Sequence, residues 1–247
     1  MDSTYLLGSL FQKKITLIFL ILLFNRLTLS TSIQLDIHLV LEPNKCLSNT
    51  ANEANLHLQK QSSSEQISFD KSLPHVTLYL TDFQSEFIPD LISTLRQSLN
   101  STQLIVEISN VMVNGAYSMY QIENTSGMQT LSDSIVQSTK GFITPNQTIP
   151  EWVYNLPEPM RSQKIAYVKK YGSPNVLDGF DPHITVGYDD VAPEPSRRKI
   201  LETVLQTSQC CRKGFSDKIG IGVVGDFGTV LYDLIEIPFE DGVYAIK

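Results

Sequence analysis

Apolar and polar positions alternate in several short stretches of the chain, and this pattern predicts β-strands separated by amphipathic helices. The first stretch, SIQLDIHLVLEP at 32–43, has the period of two of a strand and ends at a proline. Two extended runs at 103–124 meet at Asn114 and Gly115, a dipeptide that strongly predicts a hairpin turn. The pattern therefore predicts an α+β fold.

The remaining segments follow the same two periods. Helical spacing predicts helices at 52–61, 89–99, 128–139 and 195–209. Alternation predicts further strands at 75–80, 163–171 and 183–188, and two more within 217–239.

The order of these elements repeats, since each half has a strand that begins with histidine, then a helix, a strand, a turn and a strand. We therefore predict a duplicated, bilobal fold with a first lobe at 33–125 and a second at 126–247. Two antiparallel sheets should face each other across a central cleft, with helices on the outside.

Two strings of the form Pro-His-(Val/Ile)-Thr stand out, one in LPHVTLYLTD and one in DPHITVGYDD. The chain has four histidines, and two chance copies of the full string have a probability on the order of a few in a million. Side chains two positions apart in a strand share a face, so each string presents its His and its Thr together. The pairs are His75 with Thr77 and His183 with Thr185.

Histidine and threonine in this arrangement suit phosphoryl chemistry. An imidazole exchanges a proton near neutral pH, and a threonine hydroxyl can donate a hydrogen bond to a phosphoryl oxygen. Two such pairs across one phosphate supply a base, an acid and two donors without a metal or another cofactor. The sequence does not decide which histidine is the base. The other two histidines, His38 and His57, are interpreted as structural.

Paired H-x-T strands in a duplicated α+β chain resemble the 2H phosphoesterase superfamily, which includes 2'-5' RNA ligase-like proteins and cyclic nucleotide phosphodiesterases. The blocks YGSPNVLDGFDPHITVGY and GVVGDFGTVLYDLIEIPF resemble second-lobe blocks of the ligase-like branch. The resemblance covers the whole chain after its N-terminal segment and implies a metal-independent phosphodiesterase. It implies that the acid and base are His75 and His183 and that the phosphate ligands are Thr77 and Thr185.

The leading hypothesis is an enzyme that opens a 2',3'-cyclic phosphate, or a related cyclic or 2'-5' bond, in a nucleotide or at an RNA end. The alternatives are a reversible 2'-5' RNA ligase, a nucleotide-binding module without catalysis and an adhesive or structural protein. The net charge of −7 argues against duplex nucleic acid as a partner, since a duplex requires a broad basic surface. We expect a monomer.

Two further side chains are candidates for lining the substrate. Tyr79 follows Thr77 on the same predicted face, where the second copy has Gly187, and its ring could stack on a base; packing at the strand end explains it equally well. Lys170 shares a face with Lys164 on the strand predicted at 163–171. A phosphate contact is one interpretation of these lysines, and a solvated edge strand is the favoured one.

Two other groups of residues are interpreted without a role in binding. The basic run Arg197–Lys199 is expected to be a solvated helix surface. No phosphate-loop sequence is present, so the glycines near the C-terminus are interpreted as strand-turn glycines. They are Gly220, Gly222, Gly225 and Gly228.

Residues 1–32 are typical of a secretory signal. Lys13 and Lys14 precede the apolar run ITLIFLILLF, and the small polar residues of LTLSTS follow it. Asn25 and Arg26 interrupt the run before it reaches the roughly 20 residues of a spanning helix. We predict a cleaved signal, with an uncleaved anchor as the alternative. The protein should then be secreted or luminal, without a stable membrane partner unless the segment is retained.

Sequons and cysteines bear on the same prediction. Sequons for N-glycosylation occur at Asn100, Asn124 and Asn146 and predict a glycoprotein if the chain is secreted. The cysteines are Cys46, Cys210 and Cys211. Cys46 could pair with either of the other two, three free thiols are equally compatible with the sequence, and no metal-binding spacing is present.

Overall fold

The computed structural model describes residues 31–43, 45–99, 103–207 and 212–239, which contain eight strands and six α-helices. The strands are β1 (Ser32–Val40), β2 (His75–Gln84), β3 (Leu104–Asn114), β4 (Tyr117–Ile122), β5 (His183–Tyr188), β6 (Lys213–Ser216), β7 (Lys218–Val224) and β8 (Val230–Pro238). The helices are α1 (Cys46–Gln61), α2 (Ile88–Ser98), α3 (Ser126–Thr139), α4 (Glu151–Tyr154), α5 (Met160–Tyr171) and α6 (Glu194–Thr207). The predicted α+β class is confirmed.

All eight strands belong to two antiparallel, four-stranded sheets. Sheet 1 has the order β2-β1-β7-β8 and sheet 2 the order β5-β4-β3-β6. Each sheet takes two strands from each half of the chain, so the predicted lobes at 33–125 and 126–247 do not coincide with the sheets. The reason lies in β1, whose last six residues are buried. The backbone N–H and C=O groups on both edges of a buried strand need hydrogen-bond partners. Those of β1 pair with β2 on one edge and with β7 on the other.

The predicted hairpin is confirmed as β3 and β4. Asn114 pairs with Tyr117 across the turn, and Gly115 has a φ of +56°. That backbone conformation favours glycine, which explains the Asn-Gly sequence. Because β4 also pairs with β5, this hairpin supports the strand that carries the second motif.

The strand predicted at 163–171 is wrong, because these residues belong to α5. Lysine, glutamine and alanine give the segment good helix propensity, and Gly172, with a φ of +74°, ends the helix in the left-handed conformation. The buried side chains are Val168 and Tyr171, which are three positions apart, as on one face of a helix. The lysines therefore lie on a helix surface and not on a strand edge.

One face of β1 and β2 contributes to the hydrophobic core. The core side chains of this face have no exposed surface: Leu35, Ile37, Leu39, Val76 and Leu78. Each such side chain stabilises the fold by about 1.5–3 kcal/mol relative to exposure. Since side chains alternate along a strand, the opposite face of sheet 1 receives the polar residues between them.

The described residues settle part of the cysteine prediction. Cys46, the first residue of α1, is disulfide-bonded. The other cysteines of the chain, Cys210 and Cys211, lie outside the described residues, so pairing of Cys46 with one of them stays a prediction.

Other predictions near the termini and loops are only partly covered. Residues 1–30 of the predicted signal and the sequon at Asn100 lie outside the described residues, whereas Asn124 and Asn146 are exposed. Within the part of the chain that the structure describes, no helix has both the length and the apolar character needed to cross a membrane.

Candidate active site

The two His-x-Thr motifs lie on the edge strands β2 and β5, which are next to each other where the sheets meet. Cα atoms of the two strands come within 8 Å. His75 is the first residue of β2 and His183 the first of β5. Each follows a proline, which lacks an N–H for the ladder and suits the start of a strand. The structure thus places both predicted catalytic histidines at the starts of adjoining strands, which we call the β2–β5 seam.

Both imidazoles are held by the same hydrogen bond. Nδ1 of His75 donates to the carbonyl oxygen of Leu73, and Nδ1 of His183 donates to that of Asp181, each over 2.8 Å. A carbonyl oxygen only accepts, so the hydrogen lies on Nδ1 in both rings. Nε2 of each ring is left to accept or donate a proton.

Each motif strand contains a β-bulge one residue after its threonine. The extra residue is Leu78 in β2 and Val186 in β5. A bulge displaces the alternation of faces by one position. The residues after the bulges, Tyr79 and Gly187, are therefore turned away from the face that carries the histidines and threonines.

Tyr79 accordingly does not line the seam, and its predicted stacking on a base is wrong. Its side chain is 1% exposed, and its hydroxyl donates to the carbonyl oxygen of Tyr171. Burial raises the pKa of Tyr79 far above its ordinary value. A Cβ on Gly187 would lie 2.6 Å from Cδ1 of Leu58, so this glycine allows close packing of β5 on α1. The bulges interrupt the alternation on which the stacking prediction depended.

The two threonine hydroxyls differ in their hydrogen bonds. Oγ1 of Thr77 donates to Oδ2 of Asp36 over 2.6 Å. Thr185 is partly exposed, and its hydroxyl makes no hydrogen bond to another residue within the described ranges. A hydroxyl has one hydrogen to donate. Thr185 can therefore donate it to a phosphoryl oxygen directly, whereas Thr77 must first break its hydrogen bond to Asp36. Phosphate binding by either threonine stays a prediction.

A buried carboxylate lies beside His75. Oδ2 of Asp36 is 3.6 Å from Nε2 of His75, and Asp36 has no exposed surface. Burial lowers the pKa of His75, but the Asp36 carboxylate and the Leu73 carbonyl raise it, and the resulting pKa is above the ordinary value of 6.5. His75 therefore holds a proton more tightly than an ordinary histidine does.

His38, which the sequence suggested to be merely structural, belongs to the same group. Its ring centroid lies 5.2 Å from that of His75, and its side chain is 1% exposed. Its Nδ1 is 3.2 Å from the main-chain oxygen of Asp36. The signal for both residues was present in the sequence, because Asp36 and His38 are polar positions that alternate with leucine and isoleucine in a buried strand.

His183 has a different environment. It is partly exposed, and it forms no ion pair with a carboxylate in the described part of the chain. The same residues also contain no group of three or more His, Cys, Asp or Glu arranged to hold a metal ion. The two histidines are thus alike in how they are held and unlike in their electrostatic surroundings.

The predicted basic candidates make their contacts elsewhere. Lys170 is exposed in the last turn of α5, with Nζ 5.0 Å from the centre of the Tyr171 ring. Nζ of Lys164 donates to Oδ1 of Asn175 over 2.7 Å. No contact between described residues links either lysine to the motifs, and a phosphate contact by Lys170 stays a prediction.

Arg197 contradicts the expectation of a solvated helix surface. It is 3% exposed, and its guanidinium donates to the carbonyl oxygens of Gly115 and Ala116 and to Oγ of Ser118. The Ala116 carbonyl also accepts from the N–H of Asp189, and the planar guanidinium supplies several donors at once to this turn. Arg197 therefore fixes α6 to the hairpin that supports β5.

A pair of stacked rings connects the two sheets beyond the motifs. Tyr188, the last residue of β5, lies 4.0 Å from Phe227, with an angle of 19° between the ring planes. Phe227 is in the turn between β7 and β8 of sheet 1. The sequence contains no signal for this contact, because it depends on how the two sheets are placed.

No protein-family model matches the sequence, and no curated protein does so either. Among solved structures, Escherichia coli LigT complexed with 3'-AMP is 11% identical, with a TM-score of 0.49 and coverage of 85% of this chain and 99% of LigT. Kluyveromyces marxianus Usb1 is 11% identical, with a TM-score of 0.41 and coverage of 84% and 97%. The MHV ns2 PDE domain is 12% identical, with a TM-score of 0.38 and coverage of 64% and 84%. At these identities the likeness to the three solved structures concerns the fold alone.

Proposed function

We propose that this protein is a phosphodiesterase in which His75 and His183 act as general acid and general base. The observation that carries the proposal is the matched placement of the two rings. Each begins a strand at the β2–β5 seam, and each is fixed through Nδ1 to a carbonyl oxygen two residues earlier, over 2.8 Å. A positioned ring with a free Nε2 is what proton transfer to a reacting oxygen requires.

In the proposed reaction, one imidazole takes a proton from water as the new P–O bond forms. The other imidazole gives its proton to the ribose oxygen that leaves as the old P–O bond breaks. Each positioned proton transfer typically contributes about 10²- to 10⁴-fold to the rate. The Thr185 hydroxyl can donate to a non-bridging oxygen, where negative charge accumulates.

The proposed substrate is a 2',3'-cyclic phosphate, or a related cyclic or 2'-5' bond, in a nucleotide or at an RNA end. This class of bond supports the assignment because its cleavage needs protons moved at two oxygens, which two imidazoles can do. The net charge of −7 favours a single nucleotide or RNA end over a duplex.

The direct test is hydrolysis of cyclic and linear 2'-5' nucleotides by the full-length protein in EDTA. We expect His75→Ala and His183→Ala each to lower turnover by about 10²-fold or more, the loss expected for a positioned acid or base. Nucleotide binding should persist in both. The matched control is His57→Ala, since His57 is exposed on α1 and should leave turnover unchanged. Unaltered turnover in both motif variants, or its loss on chelation, would overturn the proposal.

We further propose that the enzyme acts outside the cell or in the lumen of the secretory pathway. The signal-like segment at 1–32 supports this location, as does the disulfide of Cys46, because such bonds persist in oxidising compartments. Expression in a secretory host should give a product that begins near residue 33 and shifts in mass on treatment with an N-glycosidase. An intact N-terminus in a cell-associated, unglycosylated product would contradict the location.

A further inference from the structure

Four titratable side chains meet on the face of sheet 1 that carries His75 and Thr77. Nε2 of His75 is 3.6 Å from Oδ2 of Asp36, and Nδ1 of His38 is 3.7 Å from Oδ1 of the same carboxylate. Nε2 of His38 is 3.2 Å from Oδ1 of Asp233. Imidazoles and carboxylates thus alternate in the order His75, Asp36, His38, Asp233, which we call the histidine–aspartate series.

The histidine–aspartate series crosses β7, the strand between β1 and β8, because β7 carries glycines there. A Cβ on Gly220 would lie 2.5 Å from Nε2 of His38 and 2.7 Å from Oδ1 of Asp233. A Cβ on Gly222 would lie 3.0 Å from Cε1 of His38. These two glycines, which the sequence suggested to be turn residues, leave the space in which side chains of two non-adjacent strands meet.

The oxygens around the two rings favour protons on all four nitrogens. Nδ1 of His38 faces the main-chain oxygen of Asp36, and its Nε2 faces Asp233 at ion-pair distance, although not at the angle of a hydrogen bond. Nδ1 of His75 donates to Leu73, and its Nε2 faces the Asp36 carboxylate. A bare ring nitrogen would direct its lone pair at these oxygens and be repelled.

Charge balance points the same way. The buried carboxylate of Asp36, the partly exposed carboxylate of Asp233 and two protonated imidazoles have no net charge. A neutral His75 would leave one negative charge uncompensated, which is costly beside the fully buried Asp36. Burial of His75 lowers its pKa, but Asp36, the Leu73 carbonyl and Asp233 raise it above 6.5. The 3.6 Å between Nε2 and Asp36 is too long for a hydrogen bond, so the proton stays available to a substrate oxygen.

We infer that Asp36, held by His38 and Asp233, is a positioning residue that keeps a proton on Nε2 of His75. His75 is then the general acid and His183 the general base, an assignment that rests on the proposed function. In the bond-breaking step, Nε2–H of His75 passes its proton to the leaving ribose oxygen, which keeps the electron pair of the P–O bond. Asp36 stays ionised throughout.

Other titratable groups around His75 do not provide this effect. β5, across the seam, contributes His183 and Tyr188, neither of which carries a negative charge at neutral pH. α3, which packs against β2, contributes Asp133, whose carboxylate accepts a hydrogen bond from Gln129. The charged groups that raise the pKa of His75 are Asp36 and Asp233.

The test is an NMR titration of the imidazole nitrogens in the intact, nitrogen-15-labelled protein. We expect the His75 midpoint to lie above 6.5 in the unaltered protein. In Asp36→Asn, which keeps an acceptor for Thr77 but removes the charge, the His75 midpoint should fall by about one pH unit or more. His38→Gln and Asp233→Asn should shift it in the same direction by less.

The matched control is Asp226→Asn, the same charge change at an exposed position in the β7–β8 turn. It should leave both histidine midpoints in place. An unshifted His75 midpoint in Asp36→Asn overturns the inference. If Asp36→Asn does not fold, a His75 midpoint below 6.5 in the unaltered protein overturns it equally.

A second measurement separates this inference from the proposed function. In a pH–rate profile, the limb where activity falls with rising pH reports the acid, and Asp36→Asn should move that limb to lower pH and leave the other limb in place. If Asp36→Asn does not shift the His75 midpoint and the unaltered protein cleaves the substrates, this inference is overturned and the proposed function is not. An NMR effect in a protein that cleaves no cyclic or 2'-5' substrate sinks the proposed function and leaves Asp36 as the residue that protonates His75.

Discussion

At the residue scale, His75 shows how burial and a nearby charge act in opposite directions on one imidazole. Burial alone would favour the neutral ring, yet the carboxylate of Asp36 raises the pKa above 6.5. A histidine with a raised pKa in the folded state stabilises the fold below its unfolded pKa, and this contribution is lost as pH rises through the folded pKa. The stabilisation from His75 should therefore be complete below pH 6.5 and be lost as pH rises from there through the raised pKa.

This linkage gives a prediction for Asp36→Asn. The substitution should lower the free energy of unfolding more at about pH 5.5 than at about pH 8, because the His75–Asp36 attraction is complete below pH 6.5 and weakens as pH rises through the raised pKa of His75. Each tenfold change in proton affinity corresponds to about 1.4 kcal/mol. Urea unfolding at both pH values measures the difference. A loss of stability that is the same at both would show that charge on His75 is not involved.

Tyr79→Phe tests the position that the structure assigns to Tyr79. Removing its hydroxyl leaves the Tyr171 carbonyl without its donor, so we expect a loss of about 1–3 kcal/mol in unfolding free energy. Turnover and substrate affinity should not change, because the ring is buried behind the bulge. A weaker substrate affinity at unchanged stability would instead support the stacking role suggested by the sequence.

The sequence was sufficient to predict the motif residues at this scale, because each motif is contiguous. It did not predict Asp36 as their neighbour. Thr77 and Asp36 are 41 residues apart, and their hydrogen bond depends on the register of β2 against β1. That register includes the bulge at Leu78, for which the sequence carries no signal.

At the element scale, β7 leaves space on one face for side chains from the two strands that flank it. Gly220 and Gly222 lack the side chains that would separate His38 on β1 from Asp233 on β8. A glycine in a strand weakens it in general, so its presence here marks a place where other groups come close.

Gly220→Ala should therefore disturb the histidine–aspartate series without changing any charge. We expect a loss of about 1–3 kcal/mol in stability from overpacking, together with shifted imidazole resonances of His38. The comparison variant is Gly141→Ala, where an added Cβ would meet nothing within 4 Å and stability should change by less than about 0.5 kcal/mol. Equal effects of the two variants would contradict the close approach at β7.

The same scale explains why α5 was not predicted. In QKIAYVKKY, the apolar residues fit an alternating pattern almost as well as a helical one, and the segment is short. The helix begins after Pro159 and ends at Gly172, and both residues favour these boundaries. It is stabilised by the packing of Val168 and Tyr171. The strands that carry the motifs were predictable because β-branched residues and the preceding prolines support the same interpretation as the alternation.

At the scale of the whole molecule, the disulfide of Cys46 ties down the first residue of α1. A bond from Cys46 to either of the chain's other cysteines, Cys210 and Cys211, closes a loop that contains β2, β3, β4 and β5. Closing a long loop restricts the unfolded chain, which stabilises the folded state by about 2–5 kcal/mol.

We therefore expect Cys46→Ser, or a reducing agent, to lower the melting temperature without altering the fold. Of Cys210→Ser and Cys211→Ser, one should reproduce the effect of Cys46→Ser and the other should leave the melting temperature unchanged. Mass spectrometry of non-reduced peptides identifies the bonded cysteine independently. Full stability in all three variants would mean that the bond does not contribute.

The exchange of strands between the two sheets has a consequence for any break in the chain. A cut near residue 125 leaves β1 to β4 on one fragment and β5 to β8 on the other, so each fragment holds two strands of each sheet. Neither fragment could bury the apolar face of a complete sheet, and each would expose unpaired strand edges that are prone to aggregation. The two fragments should be soluble when they are co-expressed and insoluble when either is expressed alone.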